Sequence, residues 1–269
     1  KVTLQLIWKN QFQFAGYYVA KELGFYDDAG LDVTIKEYEF GMDVTAEVVS
    51  QRADFGVGRS SLILESMEGK PVFLLSAIFQ HSPFMLLAKK REDLKEVADL
   101  KGKRIMITDD VVGMASLTAM LAGWGIKPDD YISQKHTFTV DDLISGNTDA
   151  IAAYISNEPY HMEKRGVDYT IFAPKDHGFE FYSDILFTSQ KRYRDNPQLV
   201  ERFRQASLRG WDYAFAHIDE AVDIILKKFN TQNRHQDALR FEAETLKKLA
   251  YDRETSLGLI TKGRVEQIA

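Results

Sequence analysis

Two α/β lobes with a ligand cleft between them are the architecture this sequence predicts, on three observations. The chain has 269 residues, more than one small core needs and comfortable for two of ordinary size. Short apolar strands alternate with helical stretches punctuated by Gly and Pro, the pattern of mainly parallel sheets covered by helices on both faces. The composition, 45% hydrophobic and 28% charged, is that of a water-facing protein with a packed core.

Val2, Leu4 and Leu6 alternate with polar residues and predict the first strand; Phe14 to Leu23 follows as a helix that Gly24 ends. Leu31 to Tyr38 alternates again, Val44 to Ser50 reads as a helix, and Asp54 to Val57 as a short buried strand closed by Gly58. Ser61 to Met67 is helical and leads through Gly69 and Pro71 into the apolar strand Val72 to Ile78. The same order returns with Arg104 to Thr108 (strand), Gly113 to Trp124 (helix), Asp141 to Ser145 (helix) and Asp149 to Tyr154 (strand). The segments "FGMDVTAEVVSQRADFGVG" and "FTVDDLISGNTDAIAAY" resemble one another loosely, each running from an aromatic through a helix to an Asp that opens a strand. From Asn196 onward apolar residues take helical spacing, with Leu199, Phe203, Ala206, Gly210 and Ala214, then Ala221 to Phe229 and Ala238 to Leu249. These helices are expected on the first lobe, with Trp211, Tyr213 and Phe215 as core packing.

Several function classes fall away. A net charge of -6 without a Lys/Arg cluster argues against nucleic acid. The absence of cysteine removes thiol catalysis, disulfides and thiolate metal sites. No phosphate-binding loop, nucleophile elbow, zincin helix or dinucleotide fingerprint is present, "DFGVG" lacks every other kinase element, and the histidines have no metal-ligand spacing. The expectation is therefore a non-enzyme with neither cofactor nor metal. No run reaches the roughly 18 apolar residues of a membrane span. The opening "KVTLQL" carries no leader pattern, so the chain is expected to be a mature or excised piece.

Ligands of open α/β sheets collect beyond the carboxyl ends of the parallel strands. Those positions are Trp8, Gln11 and Phe14 after the first strand, then Phe40, Gly41 and Met42, then Gly58, Arg59 and Ser60. In the second part they are Asp109 to Gly113 and Tyr154 to Tyr160, which include Asn157 and Glu158. The loop "LIWKNQFQFAGYY" crowds aromatics and amides where turns usually carry Gly or Asn, which suits a flat, polar, uncharged ring. Phe12, Phe14 and Tyr18 serve equally as anchors of the helix to the sheet, so Trp8 is the better contact. In "ISNEPY" the proline holds the preceding residue extended, so that Glu158 points into the cleft or else is an exposed loop acid. "IFQHSP" and "FYSDILF" read as crossings between lobes, placing Gln80, His81, Tyr182 and Asp184 on the cleft floor. His81 with Asp184 suggests acid–base work, but without a nucleophile the commoner reading is a hydrogen-bonded structural histidine.

The residues "WKNQFQFAGYYVAKELGFYDDAGLDVTI", "ADFGVG", "GKPVFLLSAIFQHSP", "DLKGKRI", "SNEPY" and "FRQASLRGWDYAFAHIDEAVDIILKK", taken in order, resemble the NMT1/THI5-like branch of the type II periplasmic-binding-protein fold. The resemblance implies an α/β fold of mixed sheets flanked by helices, with residues 1–84 and 189–269 in one lobe, 85–188 in the other, and the ligand between. It implies a periplasmic or extracytoplasmic domain that binds a small molecule and works with a fused or associated membrane signalling module or an ABC permease. "QFQFAGYY" and "FQHSP" are similar to the sensor-fused members, and Trp8, Asn157, Glu158 and Tyr160 match positions that hold a thiamine-precursor pyrimidine in transport receptors. The pyrimidine synthases of the family differ here: their cysteine motif has no counterpart, and Gly58 and Leu62 stand where their lysine and histidine would be. Such an enzyme would need pyridoxal phosphate and a metal.

Overall fold

Alternating Val2, Leu4 and Leu6 bury one face of the first strand, and Gly and Pro end each element, so the chain keeps returning to two sheets. The computed structural model describes residues 1–108, 114–251 and 256–268. The strands are β1 (Val2–Gln5), β2 (Val33–Lys36), β3 (Phe55–Gly58), β4 (Val72–Phe79), β5 (Phe84–Lys89), β6 (Arg104–Ile107), β7 (Ile132–Lys135), β8 (Ala150–Tyr154), β9 (Tyr169–Phe172) and β10 (Ser183–Ser189). The helices are α1 (Ala15–Glu22), α2 (Phe25–Asp28), α3 (Val44–Val49), α4 (Ser61–Met67), α5 (Ala115–Gly123), α6 (Asp141–Ser145), α7 (Glu158–Lys164), α8 (Gln190–Asp195), α9 (Pro197–Ala216), α10 (Ile218–Lys228), α11 (Gln236–Ala250) and α12 (Lys262–Ile268).

Two units result, one formed by Lys1–Gln80 with Tyr182–Ala269 and the other by His81–Phe181. The chain leaves the first unit four residues earlier than expected because Phe84 already opens the second unit's strand β5. It returns seven residues earlier because all of β10 pairs in the first sheet, against β3 and β4.

The first unit's sheet has the order β2-β1-β3-β10-β4, and the second unit's the order β7-β6-β8-β5-β9. Strands β1, β2 and β3 are parallel, as are β6, β7 and β8. β10 and β5 run antiparallel to their neighbours, so both sheets are mixed rather than mainly parallel. In β5 successive residues face opposite cores: Leu86 and Ala88 pack with Leu94, Leu117 and Ile105, while Met85 and Leu87 pack with Met106, Leu143 and Met162. Two-sided burial explains why this antiparallel strand reads as one apolar run.

In the first unit α1 lies against α9 at glycine distance: a Cβ on Gly210 would stand 2.0 Å from the carbonyl oxygen of Gly16, and one on Gly16 2.2 Å from Trp211 Cγ. Trp211 fills the space so created, packed edge-on against Tyr17 and Phe79. Trp211 and Phe215 are core, as expected; Tyr213 is half-buried, edge-on to Phe25, with its hydroxyl donating to Glu220.

The loosely similar segments occupy equivalent places. Asp54 before β3 donates its N–H to Thr3 O and accepts Thr3 N–H on its carboxylate at 2.8 Å. Asp149 before β8 does the same with Arg104, donating to Arg104 O and accepting Arg104 N–H at 3.0 Å. The next residues then pair, Leu4 with Phe55 and Ile105 with Ala150. Each Asp also takes arginine, Asp54 from Arg192 and Asp149 from Arg91 and Arg104. The Arg104 and Arg91 guanidiniums hold the Asp149 carboxyl well below the usual carboxylate range.

Candidate functional site

The carboxyl ends of β1 and β2 carry a three-ring cluster in the first unit. Trp8 is half-buried and stacks on Tyr38, centroids 5.8 Å apart and planes at 21°. Phe40 meets Trp8 edge-on at 5.5 Å and Tyr38 at 6.0 Å. Phe40 remains 68% exposed, with Lys9 Nζ over its ring at 5.9 Å. Gly41 provides the left-handed turn that follows, at φ +89°. Tyr38, expected only as the end of a strand, is the support that fixes the indole.

The amides of the loop do other work than expected. Gln11 is buried; its Nε2 donates to Gln13 Oε1 at 2.7 Å and its Oε1 accepts from Arg234 at 3.2 Å. Gln13 Nε2 donates in turn to Asp184 Oδ2 at 2.8 Å. Glu242, wholly buried on α11, accepts the backbone N–H groups of Phe12 and Gln13 at 3.2 and 3.0 Å and lies 3.5 Å from an Arg234 nitrogen. The network, in which Gln11 takes part, fixes the loop that carries Trp8. Phe14 is fully buried with Phe12 and Tyr18, so these three anchor the helix. Burial pushes the Asp184 carboxyl up to about 7 against the lowering effects of Gln13, Arg59 and Ser183. Asp184 also has a left-handed backbone, φ +49°. Arg59 is half-buried beyond β3, and Ser60, which precedes α4, makes no side-chain cap.

Gln80 and Tyr182, the first unit's residues at its two crossings, hold the C-terminal segment. Gln80 Nε2 donates to Ala77 O at 3.1 Å and to Leu259 O at 3.0 Å, and Arg264 donates to Gln80 O. Tyr182 OH accepts Thr261 N–H at 3.1 Å beneath the Arg264 guanidinium, 4.4 Å from its ring centroid. Both side chains are buried in these contacts. Within the second unit His81 Nδ1 lies 2.7 Å from Glu180 Oε2. Among the described residues no cluster of His, Asp and Glu is arranged to hold a metal.

In the second unit "SNEPY" begins a helix. Glu158 is the first residue of α7 and Pro159 the second, a position proline favours because the first turn leaves its N–H unneeded. Glu158 is thus not extended: its carboxylate folds back to accept Tyr154 N–H at 2.8 Å and Asn157 Nδ2 at 2.7 Å, and burial raises its pKa. It orients Asn157 and closes the loop after β8. Tyr154 meets Phe84 edge-on at 5.6 Å; Tyr160 sits beside His161 and under Lys164. Asp109 and Gly113 lie outside the described residues. The loop after β7, which the expectation omitted, holds buried His136 and exposed Phe138.

The model of the family described as NMT1/THI5 like matches residues 11–221. The chain belongs to the NMT1/THI5-like family. Among curated relatives of this NMT1/THI5-like chain is a riboflavin-binding protein of Chloroflexus aurantiacus, 30% identical over 84% of the chain and 66% of the relative. A formylaminopyrimidine-binding protein of Halalkalibacterium halodurans is 24% identical over 86% of the chain and 72% of the relative. A 4-amino-5-hydroxymethyl-2-methylpyrimidine phosphate synthase of Legionella pneumophila is 26% identical over 84% and 72%. The chain thus spans just under two thirds of the first of these. Among solved structures, the periplasmic aliphatic sulphonate binding protein SsuA of Escherichia coli superposes with a TM-score of 0.77 at 13% identity, over 99% of the chain and 84% of that protein. The NMT1/THI5-like chain has the periplasmic-binding-protein fold. No described helix is long and apolar enough to cross a membrane.

Proposed function

We propose that this domain binds a small planar nitrogen heterocycle outside the cytoplasm, at the carboxyl ends of its parallel strands. The observation that carries the reading is the supported indole: Trp8 stacked on Tyr38 at the carboxyl ends of β1 and β2, where an α/β sheet receives ligands. An indole held by a second ring is preorganised to take a flat π-system. Asn157, oriented by Glu158, supplies polar recognition from the second unit, with Tyr160 and Arg59 as further contacts. Relatives named for riboflavin, a formylaminopyrimidine and an aminopyrimidine phosphate support a heterocycle of this kind.

The domain's setting is a membrane signalling protein, by the likeness of "QFQFAGYY" and "FQHSP" to sensor-fused members. The transport-receptor reading is favoured by the relatives named as binding proteins, and the sequence flanking the 269 residues separates the two. Gly58 and Leu62 at the positions of the synthases' lysine and histidine argue against synthase chemistry, and an absorbance scan after incubation with pyridoxal phosphate is expected to show no aldimine band. Thermal-shift titration with riboflavin and 4-amino-5-hydroxymethyl-2-methylpyrimidine tests the binding. A ligand at about 100 times its Kd adds about 2.7 kcal/mol to stability. Trp8→Ala is expected to weaken the responding ligand by tenfold or more, and Asn157→Ala by about as much. Unchanged affinity in both variants refutes the site; no response to any planar heterocycle refutes the function.

A further inference from the structure

The structure assigns a positioning role to Glu37: its carboxylate ties the loops that carry Trp8 and Tyr38 to the loop between α10 and α11, and so holds the indole in its stack. What the stack receives rests on the heterocycle reading proposed above. Every residue of the arrangement belongs to the first unit.

Strand pairing does little to hold the two rings together. The β1–β2 ladder ends with Gln5 beside Lys36 and one further bond, from Leu6 N–H to Lys36 O at 2.9 Å. Beyond it the Tyr38 N–H reaches Trp8 O at 3.4 Å, near the outer limit of a hydrogen bond. A stack supported by so little backbone would lose its order to the conformational freedom of the two loops.

Glu37, next to Tyr38 in the chain, supplies the hold. Its Oε1 accepts the Asn10 N–H at 2.7 Å and the Thr231 hydroxyl, and Lys9 Nζ lies 4.0 Å from its Oε2. Hydrogen bonds accepted by an ionised carboxylate are stronger than those between neutral groups. Asn10, two residues beyond Trp8, is held at two more atoms: its Oδ1 accepts from the Tyr18 hydroxyl at 2.7 Å and its backbone oxygen from Gln232 Nε2 at 2.8 Å. Gln5 Nε2 donates to the Glu37 carbonyl oxygen at 3.1 Å, which fixes the backbone from which the carboxylate projects. Glu37 thus stands where three loops meet, those after β1 and β2 and residues 229–235 between α10 and α11. Its side chain is 24% exposed, whereas a loop acid without such a task is turned to water. Helix α1 is anchored independently of it, since Phe12, Phe14 and Tyr18 are buried and Tyr18 stacks on Phe229 at 4.1 Å. What the carboxylate fixes is the path from Asn10 back to Trp8, and a ring held before the ligand arrives loses less freedom on binding.

The test reads the stack without a ligand and then with one. The part of the near-ultraviolet circular dichroism that Trp8→Ala removes from wild type is the signature of the indole. Glu37→Ala is expected to lose that signature and keep the rest of the aromatic spectrum, to which buried Trp211 contributes. Glu37→Gln, which keeps an oxygen for Asn10 and Thr231, is expected to retain it. In calorimetric titration with riboflavin and 4-amino-5-hydroxymethyl-2-methylpyrimidine, the probe that binds should be weakened about tenfold by Glu37→Ala and stay within about threefold in Glu37→Gln. A Glu37→Ala that keeps the Trp8 signature, or loses it yet binds a probe as wild type does, overturns the inference. So does a Glu37→Gln as impaired as Glu37→Ala, which would make charge rather than accepted hydrogen bonds the cause. Loss of the whole aromatic spectrum in Glu37→Ala overturns it as well, making Glu37 a residue of general packing. If wild type binds neither probe, the heterocycle reading falls, while the circular dichroism still decides whether Glu37 holds the stack.

Discussion

Gly210→Ala is expected to lower the stability of the first unit by about 3 kcal/mol or more, the range in which overpacking becomes exceptional. The added methyl would meet the Gly16 carbonyl oxygen at 2.0 Å and the Ala20 Cβ at 2.7 Å. Backbone cannot rotate out of the way as a side chain can, so α1 and α9 must separate. The gap they open exposes Trp211, whose ring lies where a Cβ on Gly16 would stand. Separation also displaces the start of α1, which continues directly from the loop bearing Trp8. Urea midpoints report the loss. Gly263→Ala in α12 is the control, since nothing lies within 4 Å of its added Cβ, and it should be neutral or slightly stabilising. Equal midpoints for Gly210→Ala and wild type would show that the helices slide apart at little cost.

How far the sequence could be read follows from what each element buries. Ser61–Met67 and Asp141–Ser145 have the bounds their apolar spacing predicts, because each helix lays one stripe on a sheet and turns immediately afterwards. β7 escaped notice because, as an edge strand, its residues Ile132, Ser133 and Lys135 are exposed and carry no alternation. From sequence alone the start of α7 reads as an extended turn, because Pro159 restricts its predecessor in either setting and only the tertiary fold selects the helix start. In the candidate site, Trp8 stood out because an indole in a loop has few local reasons to be there. Its support by Tyr38 depends on parallel pairing of β1 with β2, a contact the local sequence does not encode. The hydrogen-bond network of Gln11 and Gln13 is not legible locally for a similar reason. Their partners Arg234 and Glu242 lie more than 200 residues away, and the one local sign was an acid on the apolar stripe of Leu239, Ala243 and Leu246 in α11.

Asp184→Asn is expected to make the protein more stable at pH 8 by about 2–4 kcal/mol and to leave it unchanged near pH 4. Asp184 is buried, and burial raises its carboxyl from the ordinary 3.8 to about 7, more than Gln13, Arg59 and Ser183 lower it. Below pH 4 the group is protonated in both the folded and the unfolded chain and contributes no pH dependence. Between pH 4 and 7 the unfolded chain has lost this proton while the folded protein keeps it. Folding then takes up a proton, and stability falls as pH rises, by about 1.4 kcal/mol for each pH unit. Above pH 7 both states are ionised and the full cost persists. Asn removes the ionisation, retains a carbonyl oxygen for Gln13 Nε2, and tolerates the left-handed φ of +49°. Asp149, whose pKa is lowered, contributes in the opposite sense, with stability present above its unfolded pKa and lost as pH falls. The difference between Asp184→Asn and wild type cancels that contribution. Chemical denaturation from pH 4 to 8 should therefore give two curves that coincide at the acid end and diverge towards pH 7. Parallel curves would mean that water reaches Asp184 and that the carboxylate ionises without cost. A divergence identifies Asp184 as a neutral hydrogen-bonding group below about pH 7, holding Gln13 and, through Gln11 and Arg234, the loop that positions Trp8.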